Sequence, residues 1–529
     1  MNQLQKTALA SIINLILLGA SHAEAHDTAA LEKRIRDLET RLAKMDQLER
    51  RLELLDKAAS LSNKPVSNPA PVASPPSTVT QAEVDKINRK VNTLQRKLEV
   101  QDEVTTNTFQ KLPVFETGDN GFKISSNDKK HQVRIRGAVQ ADGRFFSEDD
   151  LNKSTDSFDL KQARFWVEGY VFKNIYYKIM PDFAAGSNIL PDAYIDYAYD
   201  PAINLLVGKF KPSISLERLQ GDSDGTFLER AFPTYLASNR DVGIQIHGAF
   251  GKPGYTAESV PGPIDNKNFL TYQIGVDNGA GDDGSPNNEG KASYDSKEFV
   301  GRIFSHPFQH TNTVLEGLGV GLAGSFGDAN AQALKDQATP LGRTKYLDYT
   351  KTLNKDSSNV ITADGNRNRL YPQAYWYTGS FGLMSEYAIS TQQLSGKNKA
   401  GDSINIEQEN KAWQVLTSYV ITGEDNSFGA IKPIQNFDPV KGTWGAWQLA
   451  ARWSEIDIDK DTFQLIDNSK AANHATAWTL GVNWYLNSYA LIRANYEQVS
   501  FDGGAGKDSK QLSNRAIEQV FATRFQLSF

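Results

Sequence analysis

From about residue 122 to the C-terminus, apolar and polar residues alternate in segments of about eight to fourteen residues. In residues 132–144 the odd positions are apolar or small, whereas most even positions carry arginine, glutamine or aspartate. A strand with one face suited to lipid and the other to water is typical of a transmembrane barrel. About sixteen such segments occur, an even number as bacterial barrels require. We therefore predict an all-β transmembrane barrel of about 16 antiparallel strands over residues 107–529, with tight turns at Lys173-Asn174, Asp200-Pro201 and Asn487-Ser488.

The last of these strands ends on an aromatic residue. Phe521, Phe525, Leu527 and Phe529 alternate with small or polar residues. In a soluble β-sandwich such an apolar edge would invite aggregation, whereas in a barrel it pairs with the first strand. The C-terminus therefore favours a closed barrel, and its terminal phenylalanine resembles the assembly signal of outer-membrane proteins.

Heptad patterns precede the barrel and predict an N-terminal helical coiled-coil extension. Apolar residues at alternating steps of four and three run from Leu31 to Leu55, with one irregular step, and from Val84 to Leu98. A stretch rich in proline and serine separates them and predicts an extended linker. We expect the helices to self-associate, most simply as a homotrimer.

The N-terminus has the layout of a secretory signal peptide. Lys6 precedes an apolar run from Leu9 to Ala20, and Ala23-Glu24-Ala25 supplies the small-residue cleavage site. The apolar run is shorter than the roughly 20 residues that a membrane-spanning helix needs. The predicted organisation is a signal peptide at 1–25, a coiled coil at 26–61, a linker at 62–78, a second coiled coil at 79–106 and the barrel at 107–529.

The composition excludes several classes of function. The chain has no cysteine, so disulfides, thiolate catalysis and cysteine-based metal sites are excluded. A net charge of -6 provides no global attraction for nucleic acid. The chain has 7 histidines, none beside a recognisable serine motif, so a barrel hydrolase is not supported. We expect no enzymatic activity, no cofactor and no metal site.

A channel needs only a water-filled lumen whose fixed charges set the energy of the passing ion. On the predicted barrel, the strands of Arg134, Arg164 and Arg524 become neighbours and can form one basic stripe. Inward acids are of similar number, so a count of charges does not decide selectivity. Lys209 falls on the lipid-facing parity unless its strand ends before it. The candidate anion-binding residues are Arg134, Arg136, Arg144, Lys161, Arg164, Lys209, Lys211, Arg218, Arg230, Arg240 and Arg524.

A long polar stretch is the candidate for narrowing the pore. It runs from the strand that ends near Phe210 to the strand that starts near Val242, and it is too long for a turn. Long loops of this kind are commonly functional or disordered. A second stretch at roughly 327–369, rich in Asn, Asp, Lys and Thr, predicts an external loop.

Several runs of residues resemble the phosphate-selective porin O and P family. They are GAVQADGRFF, ARFWVEGYVFKNIYYKIMPDFA, DAYIDYAYDPAINLLVGKFKPSISLE, FLERAFPTYLASNRDVGIQIHG, GAWQLAARWSEIDI and LGVNWYLNS. The resemblance covers about residues 122–529. It implies a sixteen-stranded trimeric barrel in which a loop folds inward and arginines and lysines pass phosphate or polyphosphate.

One departure from the family pattern bears on selectivity. Family members often carry an arginine pair just before the strand that begins here at Ala163, whereas this chain has Lys161-Gln162. Lysine does not reproduce the bidentate fork with which arginine grips a phosphate. The departure affects the prediction of phosphate selectivity and leaves the prediction of the fold intact.

We therefore expect a passive channel for phosphate, polyphosphate or other small anions in the outer membrane of a Gram-negative bacterium. The alternative is a general diffusion or cation-preferring porin on the same barrel, in which acids would cluster at the neck. Besides these solutes, the expected partners are outer-membrane lipids and further copies of the chain. The N-terminal extension would lie in the periplasm, where the heptads also permit contact with peptidoglycan. No nucleic-acid partner is expected.

Overall fold

The computed structural model describes residues 81–109, 112–118, 121–147, 155–184, 189–251, 268–283, 296–354, 356, 359–504 and 514–529. The chain divides into two units, Met1–Leu98 and Glu99–Phe529. The predicted signal peptide, first coiled coil and linker lie outside the described residues. Helix α1 (Gln81–Phe109) covers the second predicted coiled-coil segment and continues three residues past its predicted end. Among the described helices, none combines the length and the hydrophobicity that a membrane span requires.

Twenty strands follow this helix in the described part of the chain. They are β1 (Val114–Gly118), β2 (Gly121–Ser125), β3 (Gln132–Phe146), β4 (Ser157–Val171), β5 (Ile175–Met180), β6 (Asp192–Asp200), β7 (Ile203–Phe210), β8 (Asp241–Phe250), β9 (Leu270–Asp277), β10 (Glu298–Ser305), β11 (Leu318–Ala333), β12 (Gln337–Ala338), β13 (Lys345–Leu347), β14 (Thr362–Thr378), β15 (Phe381–Lys397), β16 (Ser403–Val420), β17 (Ala446–Asp457), β18 (Ala472–Tyr485), β19 (Ala490–Gly503) and β20 (Glu518–Ser528). The three tight turns predicted from the sequence each fall between two of these strands.

Sixteen of the strands close into an antiparallel barrel. The ring runs from β3 to β11 and from β14 to β20, and each strand pairs with its neighbour in the ring. Closure is made by β20 and β3, whose register places Phe521 opposite Phe145 and Arg524 opposite Asp142. The predicted barrel of about 16 antiparallel strands is confirmed.

The seam between β20 and β3 is completed by the C-terminal residue. Phe529 accepts a hydrogen bond from the amide of Gly137 at 2.7 Å and donates its own amide to the Gly137 carbonyl at 2.9 Å. Beyond this point β3 pairs with β2, with Ile135 opposite Phe122. Strands β20 and β2 therefore follow one another along the same edge of β3.

The two faces of the strands differ as the alternation predicts. On β3, Val139 is 44% exposed on the outer face, whereas Asp142 and Arg144 are each 2% exposed inside. The outer face carries the apolar residues that lipid would cover, because only alternate residues of a barrel strand point outward. The tightest connections, between β4 and β5, β6 and β7, β14 and β15, and β18 and β19, lie at one end of the barrel, here called the turn end. The longer connection between β16 and β17 also lies there, and the opposite end is here called the loop end.

Two loop-end connections fold into the barrel. The segment between β7 and β8 contains the short helix α2 (Leu216–Leu219) and a 3-10 helix (Phe232–Leu236). Ile214 and Phe232 of this segment pack in a buried cluster with Tyr346, which lies on β13. The stretch predicted as one external loop at 327–369 is therefore mostly ordered structure: β11 and β14 occupy its two ends, and its centre packs inside the barrel.

The seam provides the first testable prediction. A side chain at Gly137 would collide with the ring of Phe529, whose backbone closes the barrel. We expect Gly137→Val to destabilise the folded barrel by about 1–3 kcal/mol, the usual cost of overpacking. The measurement is the thermal midpoint in detergent micelles, followed by circular dichroism.

The matched control is Val139→Ile, which adds one methyl group to the outer face of the same strand, where Val139 is already exposed. Equal midpoints for the two variants would contradict the role assigned to the Gly137–Phe529 contact.

Candidate functional site in the barrel lumen

Residues 211–240, which we call the constriction loop, cross the lumen and bind several strands of the wall. The helix α2 begins after Ser215, whose hydroxyl accepts a hydrogen bond from the amide of Arg218. The amide of Leu216 donates to Glu386 on β15 at 2.8 Å. On the opposite side, the amide of Leu228 donates to Asn495 on β19 at 2.8 Å. The loop is therefore held from both sides, and the long polar stretch predicted to narrow the pore does lie within it.

Asp222 lies at the centre of one cluster of charges. Four cations surround its carboxylate: Arg164 and Arg230 in ion pairs, Lys211 at 3.7 Å and Arg240 at 3.8 Å. Burial alone would raise the pKa of this loop carboxyl, but the charges of Lys211, Arg164 and Arg230 hold its pKa well below the usual range. Asp222 is therefore ionised at neutral pH and links the loop to β4.

Glu229 lies at the centre of a second cluster. Its carboxylate contacts Arg144 at 3.0 Å, Lys161 at 3.0 Å, Arg524 at 3.4 Å and, in a further ion pair, Arg343. Arg144 and Arg524 also reach Asp142, at 3.0 and 2.6 Å. These arginines of β3 and β20 thus anchor the constriction loop across the closing seam of the barrel.

A β-bulge brings Lys161 and Gln162 to the same side of the wall. The register between β3 and β4 shifts after Gln140, so that Gln140 faces Gln162 and Ala141 faces Leu160. Lys161 then reaches Glu229, and the amide of Gln162 donates to Asp222 at 3.2 Å. The position at which family members often have an arginine pair is therefore the point where β4 binds both loop carboxylates.

A cavity of about 420 Å³ lies between the constriction loop and the turn end of the barrel. Its described lining contains seven cationic and four acidic side chains, so the formal charge of the side chains is positive. Five of the predicted residues line it: Arg134, Arg136, Arg164, Lys211 and Arg240. The other charged lining residues are Lys178, Lys432, Glu168, Asp192, Asp222 and Asp224.

The remaining candidates lie away from this cavity. Arg144, Lys161, Arg230 and Arg524 bind the two loop carboxylates, as described above. Arg218 binds Asp283 at 2.7 Å and so ties α2 to the connection after β9. The predicted basic stripe therefore divides: Arg134, Arg136 and Arg164 face the cavity, whereas Arg144 and Arg524 are anchors.

The alternation along β7 predicts that Lys209 faces lipid, but a change of backbone conformation at Gly208 buries its side chain. Gly208 has φ +135, and the alternation along β7 breaks there, so that Lys209 and Phe210 are both buried. A β-carbon at Gly208 would collide with the backbone of Ala193 and Tyr194 on β6, so only glycine fits this position.

Sequence reasoning missed two features of the lumen. Arg367 and Arg369 are fully buried on β14, inside the stretch predicted as an external loop, although their alternation with Tyr371 signals a strand. The connection between β16 and β17 was not singled out. Its Phe428 carbonyl accepts a hydrogen bond from Gln220 of the constriction loop at 2.6 Å, and residues 430–432 line the cavity.

A family model described as "Phosphate-selective porin O and P" matches residues 133–529. The chain belongs to the phosphate-selective porin O and P family. It is 24% identical over 412 residues to Porin O of Pseudomonas aeruginosa, an alignment that covers 72% of this chain and 86% of that relative. The resemblance stated from sequence is confirmed, and the chain is an outer-membrane porin.

Comparison with solved structures finds outer-membrane proteins at low identity. The outer membrane channel DcaP of Acinetobacter baumannii is 11% identical with a TM-score of 0.46, covering 78% of this chain and 99% of that one. The trimer form of OmpT of Vibrio cholerae is 13% identical with a TM-score of 0.45, covering 75% and 99%. An anion-selective porin from Comamonas acidovorans is 12% identical with a TM-score of 0.40, covering 76% and 100%.

The Glu229 cluster provides the second prediction. In Glu229→Gln, four cations lose a shared carboxylate, so we expect the anchored position of the loop to be destabilised by about 3 kcal/mol. Single-channel recordings in planar bilayers should then show larger current fluctuations than the wild type. The control is Glu409→Gln, which removes a carboxylate paired with Lys411 on an exposed part of β16. Current fluctuations in Glu229→Gln no larger than those of the wild type would contradict the anchoring role of Glu229.

Proposed function

We propose that this porin is a passive channel selective for anions, with phosphate or polyphosphate as the preferred solute. The observation that carries the proposal is the excess of cationic over acidic side chains around the cavity below the constriction loop. Fixed positive charge in a water-filled passage with low-dielectric walls raises the local concentration of anions. Selectivity then follows from charge placement, and no chemical step is needed.

The two charge clusters that hold the loop also favour anions, because each has a net positive charge. Around Asp222, the cations Arg164, Lys211, Arg230 and Arg240 face three carboxylates, Asp182, Asp192 and Asp222. Around Glu229, the cations Arg144, Lys161, Arg343 and Arg524 also face three, Asp142, Asp159 and Glu229. In each cluster the carboxylates compensate all but one of the positive charges.

Among the arginines that line the cavity, Arg136 is the most exposed to a passing anion. Its side chain is 36% exposed in the cavity, and its ion pair with Glu168 is long, at 3.7 Å. Arg164, in contrast, is held by Asp182 and Asp222 on the bulged strand. Because arginine presents a planar fork that matches phosphate, Arg136 is the residue we assign to first contact with the solute.

The competing function is a general diffusion or cation-preferring porin. The observation in its favour is that most of the predicted cations already contact carboxylates, so that they have less capacity to bind a solute. The reversal potential distinguishes these functions, because an anion channel favours chloride, whereas the alternative favours potassium or neither ion.

We also propose that the chain assembles as a homotrimer, with the helical extension contributing to assembly. On α1, Leu94 and Leu98 of the predicted heptad are each 60% exposed, which leaves their apolar surface available to other copies. Bacterial barrels have short turns on the periplasmic side, so the turn end and the N-terminal extension are assigned to the periplasm. Contact of the extension with peptidoglycan is an added role that this position permits.

The third prediction concerns selectivity. In a planar bilayer under a KCl gradient, we expect the purified protein to give a reversal potential of the sign for chloride selectivity. Phosphate added at low concentration should block the chloride current, because a multiply charged anion binds the cationic cavity more tightly. A cation-selective or neutral potential without phosphate block would not affect the assignment of the fold, but it would contradict anion selectivity and favour a general porin.

The fourth prediction concerns Arg136. Arg136→Glu changes two units of charge in the cavity, and in a hydrated lumen each unit is worth on the order of 1 kcal/mol. We therefore expect the ratio of chloride to potassium permeability to fall by roughly thirtyfold, the factor that corresponds to about 2 kcal/mol. Lys130→Glu is the matched control, since Lys130 is an exposed residue of the connection between β2 and β3 and pairs only weakly with Asp128. Equal permeability ratios in the two variants would remove Arg136 from the anion path.

A further inference from the structure

A second group of polar side chains lies behind the start of the constriction loop, outside the cavity described above. It is built on β8, β9, β10 and β14, and its central residue is Arg302 on β10, which is 4% exposed. Arg302 lies directly opposite Gln273 on β9. It takes no part in the two charge clusters that hold the loop.

The guanidinium of Arg302 is oriented by neutral groups. Its Nε donates to Oε1 of Gln373 at 3.0 Å, and its Nη1 donates to Oε1 of Gln273 at 3.3 Å. The ring of Phe304 lies 4.6 Å from its Cζ. Its Nη2 is buried and has no hydrogen-bond partner among the described residues. The guanidinium is thus fixed by two amide oxygens and one ring, and its third nitrogen remains a buried donor.

No described carboxylate forms an ion pair with Arg302, whereas every arginine of the two loop clusters has at least one. A buried charge without a counter-ion is costly, and proteins normally compensate it with an opposite charge and with hydrogen bonds. Neutral amides satisfy two of the three nitrogens here but supply no negative charge. An anion from solution would supply both the acceptor that Nη2 lacks and the missing negative charge.

The surroundings offer a further donor. Gln245 on β8 receives a hydrogen bond from the hydroxyl of Ser213 at 3.2 Å, and its own buried Nε2 has no partner among the described residues. Gln245 lies opposite Gly275 on β9, the strand that also carries Gln273. Ser213 and Ile214, at the start of the constriction loop, bind Gln245 and Gln373 and so cover this group of residues.

We propose that Arg302, with Gln245 and Gln273, forms a binding site for one small inorganic anion of the size of chloride. The anion resides behind the constriction loop and neutralises Arg302, and it is distinct from the solute that crosses the pore. It also stabilises the start of the loop, because Gln373 and Gln245 hold both the site and residues 213–214.

The test uses bromide, which replaces chloride and can be located by its anomalous scattering. Crystals of the full-length protein are grown in sodium bromide at about 0.15 M, the physiological ionic strength. We expect an anomalous peak within hydrogen-bonding distance of Nη2 of Arg302. Its absence from well-ordered wild-type crystals would overturn the proposal, whatever the behaviour of any variant.

Two variants test whether the bromide peak depends on Arg302. Arg302→Gln should lose the peak, whereas Lys130→Gln, which removes a positive charge from an exposed connection, should keep it. Circular dichroism of each variant first establishes that the barrel is folded. A peak that persists in folded Arg302→Gln would show that the anion belongs to other residues and would also overturn the proposal.

The outcome is separable from that of the proposed function. An anion-selective reversal potential without bromide at Arg302 would refute this site and retain the anion channel. A cation-selective potential with bromide at Arg302 would refute the anion channel and retain this site.

Discussion

The structure depends on one constraint: in a membrane, the backbone of every strand must find its hydrogen bonds within the protein, because lipid offers none. The sixteen strands meet that constraint only when β20 reaches β3. The last hydrogen bonds of the ring come from Phe529, the C-terminal residue, to Gly137. Closure also creates the lumen, so the inward positions of the strands become neighbours of a shared interior.

That interior is largely filled, and its contents explain where the charges lie. The constriction loop brings Asp222 and Glu229 into the barrel, and each carboxylate draws cations from the wall. Arginines of β3, β4 and β20 thus serve in part as anchors of the loop. The cavity that remains below the loop retains Arg134 and Arg136, whose ion pairs with Glu168 are long.

The alternation of residues predicted the barrel and the two faces of β3, because the period of a strand is tied to its geometry. The same rule fails where one residue is added to a strand. At Lys161-Gln162 a bulge turns consecutive residues inward, and at Gly208 a change of backbone buries Lys209. Parity cannot locate such breaks, since they depend on the register with the neighbouring strand.

The sequence also could not predict which charged residues form ion pairs with one another. Arg164 pairs with Asp222, which lies fifty-eight positions further along the chain, and this contact exists only because the loop turns inward and reaches β4. A charge count along the chain finds acids and bases in similar number, whereas each folded cluster contains one more cation than carboxylate. The excess of cations is a property of the fold, not of the composition.

This arrangement bears on how a porin can keep anion selectivity while carrying acids within its lumen. A carboxylate that stood alone in the lumen would repel anions over several ångströms, since a hydrated passage screens charge only partly. Asp222 and Glu229 do not stand alone, because each lies among four cations and each cluster retains one positive charge. The acids therefore fix the loop and orient the guanidinium groups without reversing the field.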